Sequence, residues 1–408
     1  MKYNITYLKV PTFDLDWLSI PIDNDNDEYA ILLPGGGGST KSGVKNQVQI
    51  LREASKGSDK YAVVQGLETD SDISSSLCSG ISSGEINSHS VICVTLCKLC
   101  RLYEVTVDKE KSSFKFNQVG EFQADFAEDA AVNCSIIIPS GMIITGGDDG
   151  ICRIWDVNNS ENVWKITIDV ELKGHTGPIM AMSLHSSLPI LATASKDGSC
   201  KVWNLSTEKI LFNIPPLDGL AGLPVASPNN TPTKTTIECR GCAFTKNGTS
   251  LVTIQSPRRG STSLILWNFE GDAISTNSDN ILNPVPVRVV AASKVPATKL
   301  SISESGDYIA VGASDGSVSI FSGVNLRKIS TKVLHDLPIT GLKFSPVSNI
   351  IASCSADNKC AIANISTYSS LFVLLFTLFT VLLVLLLLYI SYSTFSIHFS
   401  KILKDKEL

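Results

Sequence analysis

The chain has 408 residues, with 34 Lys and Arg against 39 Asp and Glu and a formal charge of −5. That length accommodates two or three average domains, or one large β-rich domain with an appendage. An acidic balance without a basic stripe excludes nucleic acid as the main partner, because phosphate binding needs clustered Lys and Arg.

The first residues, MKYNITYLKVPTFDLDW, lack the apolar core of a secretory signal peptide, so the bulk of the chain is expected to stay in the cytosol. Within them Asn4–Val10 (NITYLKV) reads as a strand. The next strand pair is Tyr29–Leu33 with Gln47–Leu51. Between them lies PGGGGSTKSGVKN, residues 34–46, where a tight turn would be expected. Four successive glycines carry a large backbone entropy cost, which points to unusual dihedrals or close approach.

Three readings of this segment stand side by side. A phosphate loop would need G-x-x-x-x-G-K-[ST]; Gly35–Ser42 nearly fits, but Thr40 occupies the second glycine position and a strand-like run follows instead of a helix. A plain glycine hairpin is the second. The third is a cage of backbone carbonyls for a monovalent cation, since glycines let carbonyl oxygens converge without Cβ clashes and such clusters replace the hydration shell of potassium.

Further along, Ser90–Val94 pairs with Leu99–Val107, and the Ser-rich stretch Asp70–Ser90 before it reads as a flexible surface loop. Cys97 and Cys100, like Cys239 and Cys242, have zinc-ribbon spacing within each pair, but the pairs are far apart and sit in apolar runs. Buried reduced thiols fit both better than metal ligands, and a cytosolic body gives no expectation of disulfides.

Internal repeats organise the remainder. IITGGDDGICRIWDV (143–157) aligns with LATASKDGSCKVWNL (191–205), IAVGASDGSVSIF (309–321) and a degraded IASCSADNKCAI (351–362). Each is two short alternating strands around an Asp-Gly or Asp-Asn turn. Trp155, Trp203 and Trp267 close three units with a following Asp or Asn, and Gly174-His175 supplies the other half of a WD-repeat signature. His175 is expected to be a structural hydrogen-bonding residue, and Asp156 and Asn204 to fix turns. The turns at 149 and 197 are 48 residues apart and those at 315 and 357 are 42 apart, the period of a four-stranded propeller blade. One further unit, centred on Leu264–Trp267 with a longer turn at Ser256–Ser263, fits between 197 and 315. Five units thus run from about 125 to 365, and two more occupy the first 124 residues. The expected fold is all-β: a seven-bladed WD-type β-propeller over residues 1–365, with six or eight blades as the alternative counts, its last blade completed by Asn4–Val10 so that no sheet edge is left open. Pro215–Thr236, rich in Pro, Asn and Thr, reads as a loop insertion.

No Asp, Glu, Lys or Arg occurs from Cys360 to Ser400, and Leu371–Ile390 reads LFVLLFTLFTVLLVLLLLYI. Twenty helical residues span about 30 Å, a bilayer's hydrocarbon core, and Tyr368, Tyr389 and Tyr392 flank the run where amphipathic rings favour the interface. A single transmembrane helix is therefore expected within 366–392, with a short lumenal tail at 393–408. Lys401, Lys404 and Lys406 point the other way by the positive-inside rule, but a large body without an export signal governs. The terminal KDKEL is either a loose retrieval signal or a merely polar tail.

The glycine segment GGGGSTKSGVKN followed by a strand, in a WD-like propeller with one C-terminal membrane helix, resembles the prolactin-regulatory-element-binding and Sec-twelve family. That resemblance implies a single-pass protein of the endoplasmic reticulum membrane that acts as guanine-nucleotide exchange factor for a Sar-type small GTPase and so starts COPII coat assembly. It further implies a potassium ion held by the carbonyls of Gly35, Gly36, Gly37, Gly38 and Gly43. Lys41, Lys45 and Asn46 would then meet the GTPase. No nucleophile or general base is needed, because exchange works by preferring the nucleotide-free GTPase. Two alternatives remain open: an export factor for particular membrane cargo without exchange activity, and a membrane-tethered scaffold.

Overall fold

The computed structural model describes residues 2–20, 28–38, 43–54, 60–69, 74–83, 88–108, 113–128, 130–138, 140–160, 163–217, 236–269, 284–346, 349–365 and 377–393. Lys2–Ala363 form one compact unit of β-strands. β1 (Lys2–Tyr7) comes first in the chain and is taken up by the last sheet. Blade one holds β2 (Asp16–Ile20), β3 (Glu28–Gly35), β4 (Gln47–Glu53) and β5 (Tyr61–Glu68). Blade two holds β6 (Ser74–Ser83), β7 (Ser88–Leu96), β8 (Leu99–Asp108) and β9 (Ser113–Gln123). Blade three holds β10 (Val132–Ile137), β11 (Ile143–Gly147), β12 (Ile151–Ser160) and β13 (Val163–Lys173). Blade four holds β14 (Ile179–Leu184), β15 (Ile190–Ser195), β16 (Cys200–Asn204) and β17 (Lys209–Ile214). Blade five holds β18 (Ile237–Phe244), β19 (Ser250–Pro257), β20 (Thr262–Asn268) and β21 (Val285–Ser293). Blade six holds β22 (Ala297–Ile302), β23 (Tyr308–Ala313), β24 (Ser317–Ser322) and β25 (Lys328–Val333). Blade seven joins β26 (Ile339–Phe344), β27 (Ile350–Ser355) and β28 (Lys359–Asn364) to β1.

Seven antiparallel four-stranded sheets thus form among the described residues, in the count and order the repeats predict. The burial of each strand follows its place in the blade. Second strands such as β11, β15 and β23 are buried at every residue, because each is covered on both faces by neighbouring blades. Outer β5 alternates half-buried and exposed positions along Tyr61–Glu68. The core is accordingly a ring of wedges between blades. On β3, Ala30 and Leu32 pack toward blade two with Ile92 and Val94, while Ile31 and Leu33 pack toward blade seven with Cys354 and Ile362. Period-two side-chain alternation is what lets one strand serve two wedges.

Several local expectations are corrected. The Ser-rich stretch Asp70–Ser90 is not a loop: Ser74–Ser83 is β6, first strand of blade two, and Ser88–Ser90 begin β7. The first strands of successive blades crowd round the axis, where small polar side chains fit. There Ser76 Oγ donates to Asp14 Oδ2 at 2.6 Å and the Ser79 N–H to Asp16 Oδ2 at 2.9 Å. The closing strand covers Lys2–Tyr7 rather than Asn4–Val10; the Leu8 N–H then donates to the Asn358 carbonyl and the chain turns inward. The turn expected at Ser256–Ser263 is shorter, since β19 continues to Pro257 and β20 starts at Thr262. Asp156 lies inside β12 instead of in a turn, whereas Asn204 Oδ1 accepts from the N–H groups of Ser206 and Thr207 as a turn-fixing residue should. Most of Pro215–Thr236, like residues 366–376 and 394–408, lies outside the described residues.

Nine of the eleven free thiols are buried, including Cys100, Cys239 and Cys242; Cys97 is an exception, exposed at the β7–β8 turn with a φ of 50°. The Cys152 thiol is pushed up to about 12 by burial.

The WD-type signature proves to be a hydrogen-bonded relay. The Trp203 indole donates to Thr193 Oγ1 at 2.8 Å, His175 Nε2 meets the same oxygen at 2.8 Å, and His175 Nδ1 meets Asp197 Oδ2 at 2.9 Å. A carboxylate only accepts, so Nδ1 carries the proton and Nε2 accepts from the threonine hydroxyl. Blade seven repeats the imidazole part of the arrangement with His335, Ser353 and Asp357, without an indole, because Ala363 stands where Trp203 would be. Burial raises the Asp197 carboxyl, but hydrogen bonds from His175 and Ser199 outweigh it and hold the group below the carboxylate range.

His335 is 1% exposed, and burial lowers its pKa despite the opposing pull of Asp357; burial lowers His185 likewise. Both imidazoles therefore bind protons less readily folded than unfolded. The stability they contribute is complete above the unfolded value of about 6.5 and is lost as pH falls through the lower folded values. Thermal melts between pH 8 and pH 5 are expected to show a falling midpoint below about pH 6.5, with a shallower slope in His335→Gln.

The chain from Asn364 onward forms a second unit. Within it residues 377–393 are helical, covering the greater part of the apolar run expected to cross a membrane. Residues 371–376 lie outside the described residues, and among the described residues no helix is long and apolar enough to cross a membrane.

Candidate functional site

The glycine segment joins β3 to β4, the second and third strands of blade one, at the end of the propeller where every such turn emerges. Antiparallel pairing puts Gly35 opposite Gln47, so the segment leaves and re-enters a rigid ladder. Among the described residues a strand, not a helix, follows it, with no helix N-terminus there to face a phosphate.

Each end is clamped by residues from other elements. The Gly36 N–H donates to the Pro11 carbonyl at 3.0 Å, and Thr12 bridges to Gly35. Ser74 Oγ, at the start of β6, accepts from the Gly35 N–H at 3.0 Å and donates to the Gly35 carbonyl at 3.4 Å. Gln49 secures the β1–β2 segment beneath, its Oε1 accepting from the Lys9 N–H at 2.9 Å.

Asn46 is the pivot. It is 5% exposed, and its amide forms a reciprocal pair with Gly38: Oδ1 accepts from the Gly38 N–H at 3.0 Å while Nδ2 donates to the Gly38 carbonyl at 3.2 Å. Its own carbonyl accepts from the Thr69 N–H at 3.0 Å. Gly36 has a φ of 147° and Gly38 one of 80°, which L side chains rarely adopt. A Cβ on Gly36 would also land on the Asn46 amide. These two glycines are therefore required by the close approach of Asn46.

Lys45 is exposed and ion-paired with Glu68 of β5, and Val44 beside it is 38% exposed. Gly37 and Gly38 are half-buried, and Gly43 has a φ of 75° with open space around it. Lys41 lies outside the described residues, as do Ser39, Thr40 and Ser42. The structure thus brings Gly35, Gly36, Gly38 and Asn46 together. The clamping residues Pro11, Ser74 and Thr69 come from segments with no motif that sequence reading could have seized on.

An alkali cation can be held by neutral oxygen donors alone. Residues 34–46 contain no carboxylate, and the cradle vacated by the missing Gly36 side chain draws backbone and the Asn46 amide together. The Gly35 carbonyl accepts from Ser74 Oγ and the Gly38 carbonyl from Asn46 Nδ2. Backbone carbonyls are the donor type that replaces the hydration shell of potassium, and Gly35 to Gly38 are the residues that would hold such an ion.

Four stretches of the chain match the family model of the WD domain, G-beta repeat: residues 117–156, 167–204, 285–322 and 327–363. Each begins in or before an outer strand and runs through the third strand of the following blade, so the matches fall on blades three, four, six and seven. No curated protein shows a significant match to the chain.

Proposed function

We propose that this chain is a membrane-anchored guanine-nucleotide exchange factor for a Sar-type small GTPase, acting at the endoplasmic reticulum membrane to start COPII coat assembly. The observation that carries the reading is the Asn46–Gly38 amide pair, which ties the end of the four-glycine run to the start of β4 in blade one. A bound potassium ion would supply further stiffening through carbonyl coordination. The chain's own residues bind and orient: Asn46 keeps the backbone in place, and Lys45, with Lys41, offers positive charge to an acidic patch on the GTPase. Preference for the nucleotide-free form then expels the nucleotide without bond-making chemistry.

Leu371–Ile390 supports the anchored part of the reading, as twenty uncharged and predominantly apolar residues with Tyr368 and Tyr392 at the flanks. Confining exchange factor and GTPase to one surface raises their effective concentration, up to about the millimolar range on linker arguments.

The experiment is GDP release from a Sar-type GTPase, followed by fluorescence, with the full chain in detergent. Acceleration that is strong in potassium buffer and weak in sodium buffer is expected. Release at the intrinsic rate in both buffers would discard the exchange reading, leaving a tethered scaffold or cargo-export factor.

A further inference from the structure

The end of the propeller that carries the glycine segment also carries an aromatic side chain built to stay exposed. Phe126, between β9 and β10, has 53% of its surface in water. Its ring lies 4.7 Å from the guanidinium carbon of Arg153, itself 3% exposed. Arg153 is held by Asp149 at 2.6 Å, by Glu171 at 2.9 Å and by the Ala124 carbonyl at 3.2 Å. The backbone under Phe126 is equally constrained. Fully buried Asp125 accepts from the N–H groups of Ala127 at 3.0 Å and Asp149 at 3.1 Å, and the N–H groups of Ala124 and Asp125 both donate to the Lys98 carbonyl.

A freely mobile surface phenylalanine would need no such frame. Here one ring face rests on a buried cation and the remainder is presented to whatever docks, at little further ordering cost. The frame is also continuous with the glycine segment. Asn46 accepts from Thr69, the Thr69 carbonyl accepts from Arg101 Nη1 at 3.4 Å, and Arg101 lies on β8 just after the Cys97-Lys98 turn that supports Ala124 and Asp125. Val44 on the glycine segment and Phe126 are both exposed apolar side chains.

We infer that Phe126, positioned by Arg153, is a second docking anchor for the same small GTPase, filling an apolar pocket on it while the glycine segment engages elsewhere. This rests on the exchange-factor reading. Buried aromatic anchors at interfaces commonly account for a tenfold or greater share of affinity.

The test is binding of a nucleotide-free Sar-type GTPase to the full chain in detergent, comparing the parent with Phe126→Ala, Phe126→Tyr and Asn46→Ala. Phe126→Ala is expected to weaken binding roughly tenfold or more, with the melting midpoint lowered by a few degrees at most because only the ring's contact with Arg153 is lost, and Phe126→Tyr to retain most of the affinity. Unchanged affinity in Phe126→Ala while Asn46→Ala binds poorly would overturn this inference and leave the exchange reading standing. No binding by the parent would overturn both. A shift of Phe126→Ala to a smaller oligomer at full GTPase affinity would also overturn it, by assigning the ring to self-association.

Discussion

Asn46→Ala is expected to lower stimulated GDP release about 30-fold at unchanged GTPase concentration, the equivalent of roughly 2 kcal/mol. The substitution removes both amide contacts to Gly38 and leaves the half-buried Gly38 N–H and carbonyl without those partners. Two hydrogen bonds at about 1 kcal/mol each are enough to release Gly38 from Asn46. Because the Asn46 backbone still pairs with Thr69, blade one should keep its ladder, and the melting midpoint should fall by only a few degrees. Gly36→Ala reaches the same state from the other side, by driving a methyl group against the Asn46 amide. The two variants should therefore be equally impaired, and the double variant no worse than either. Full release activity in both would remove the glycine segment from the mechanism, whatever the propeller binds.

Deleting residues 1–7 is expected to abolish cooperative folding of the propeller. β1 is six residues long and is the outer strand of blade seven, paired with β28. Its ladder contributes on the order of 5 kcal/mol at about 1 kcal/mol per hydrogen bond, a large share of the 5–15 kcal/mol that holds a typical domain. The deletion also exposes β28 as an open edge, a template for aggregation. Circular dichroism melts should lose their single transition and size exclusion should show large species. Thr6→Pro is a milder version, since proline removes one ladder donor and its Thr6 hydroxyl bond to the Tyr61 carbonyl is lost too. A sharp melt for the truncated chain would show that blade seven closes without β1.

The repeats were legible because hairpin geometry is local. Asp149, Asp197, Asp315 and Asp357 each precede a glycine or asparagine with positive φ, and each such turn sits where the pattern of alternating strands requires. Blade count followed from the period. Closure by the N-terminal strand was readable for a physical reason as well, since a ring with a short last blade needs a partner from the other end of the chain.

Other features depended on neighbours far away in sequence. Ser74–Ser83 has a composition that suits a solvated loop, and becomes a strand only because the axis supplies Asp14 and Asp16 as partners. Cys97 looks like part of an apolar run but occupies a left-handed turn position. Asp156 follows its tryptophan as Asn204 does, yet β12 runs on to Ser160 and holds it in a strand.

Read along the chain, the amino acids were enough to dictate a seven-bladed ring, an apolar C-terminal run and an anomalous glycine segment, since turn chemistry, strand period and hydropathy act over a few neighbouring residues. Assembly of the ring was needed to bring Pro11, Ser74 and Thr69 onto that segment and to seat Phe126 on Arg153. Those contacts join separate strands and turns, and residue types alone do not reveal which of them meet until the blades close.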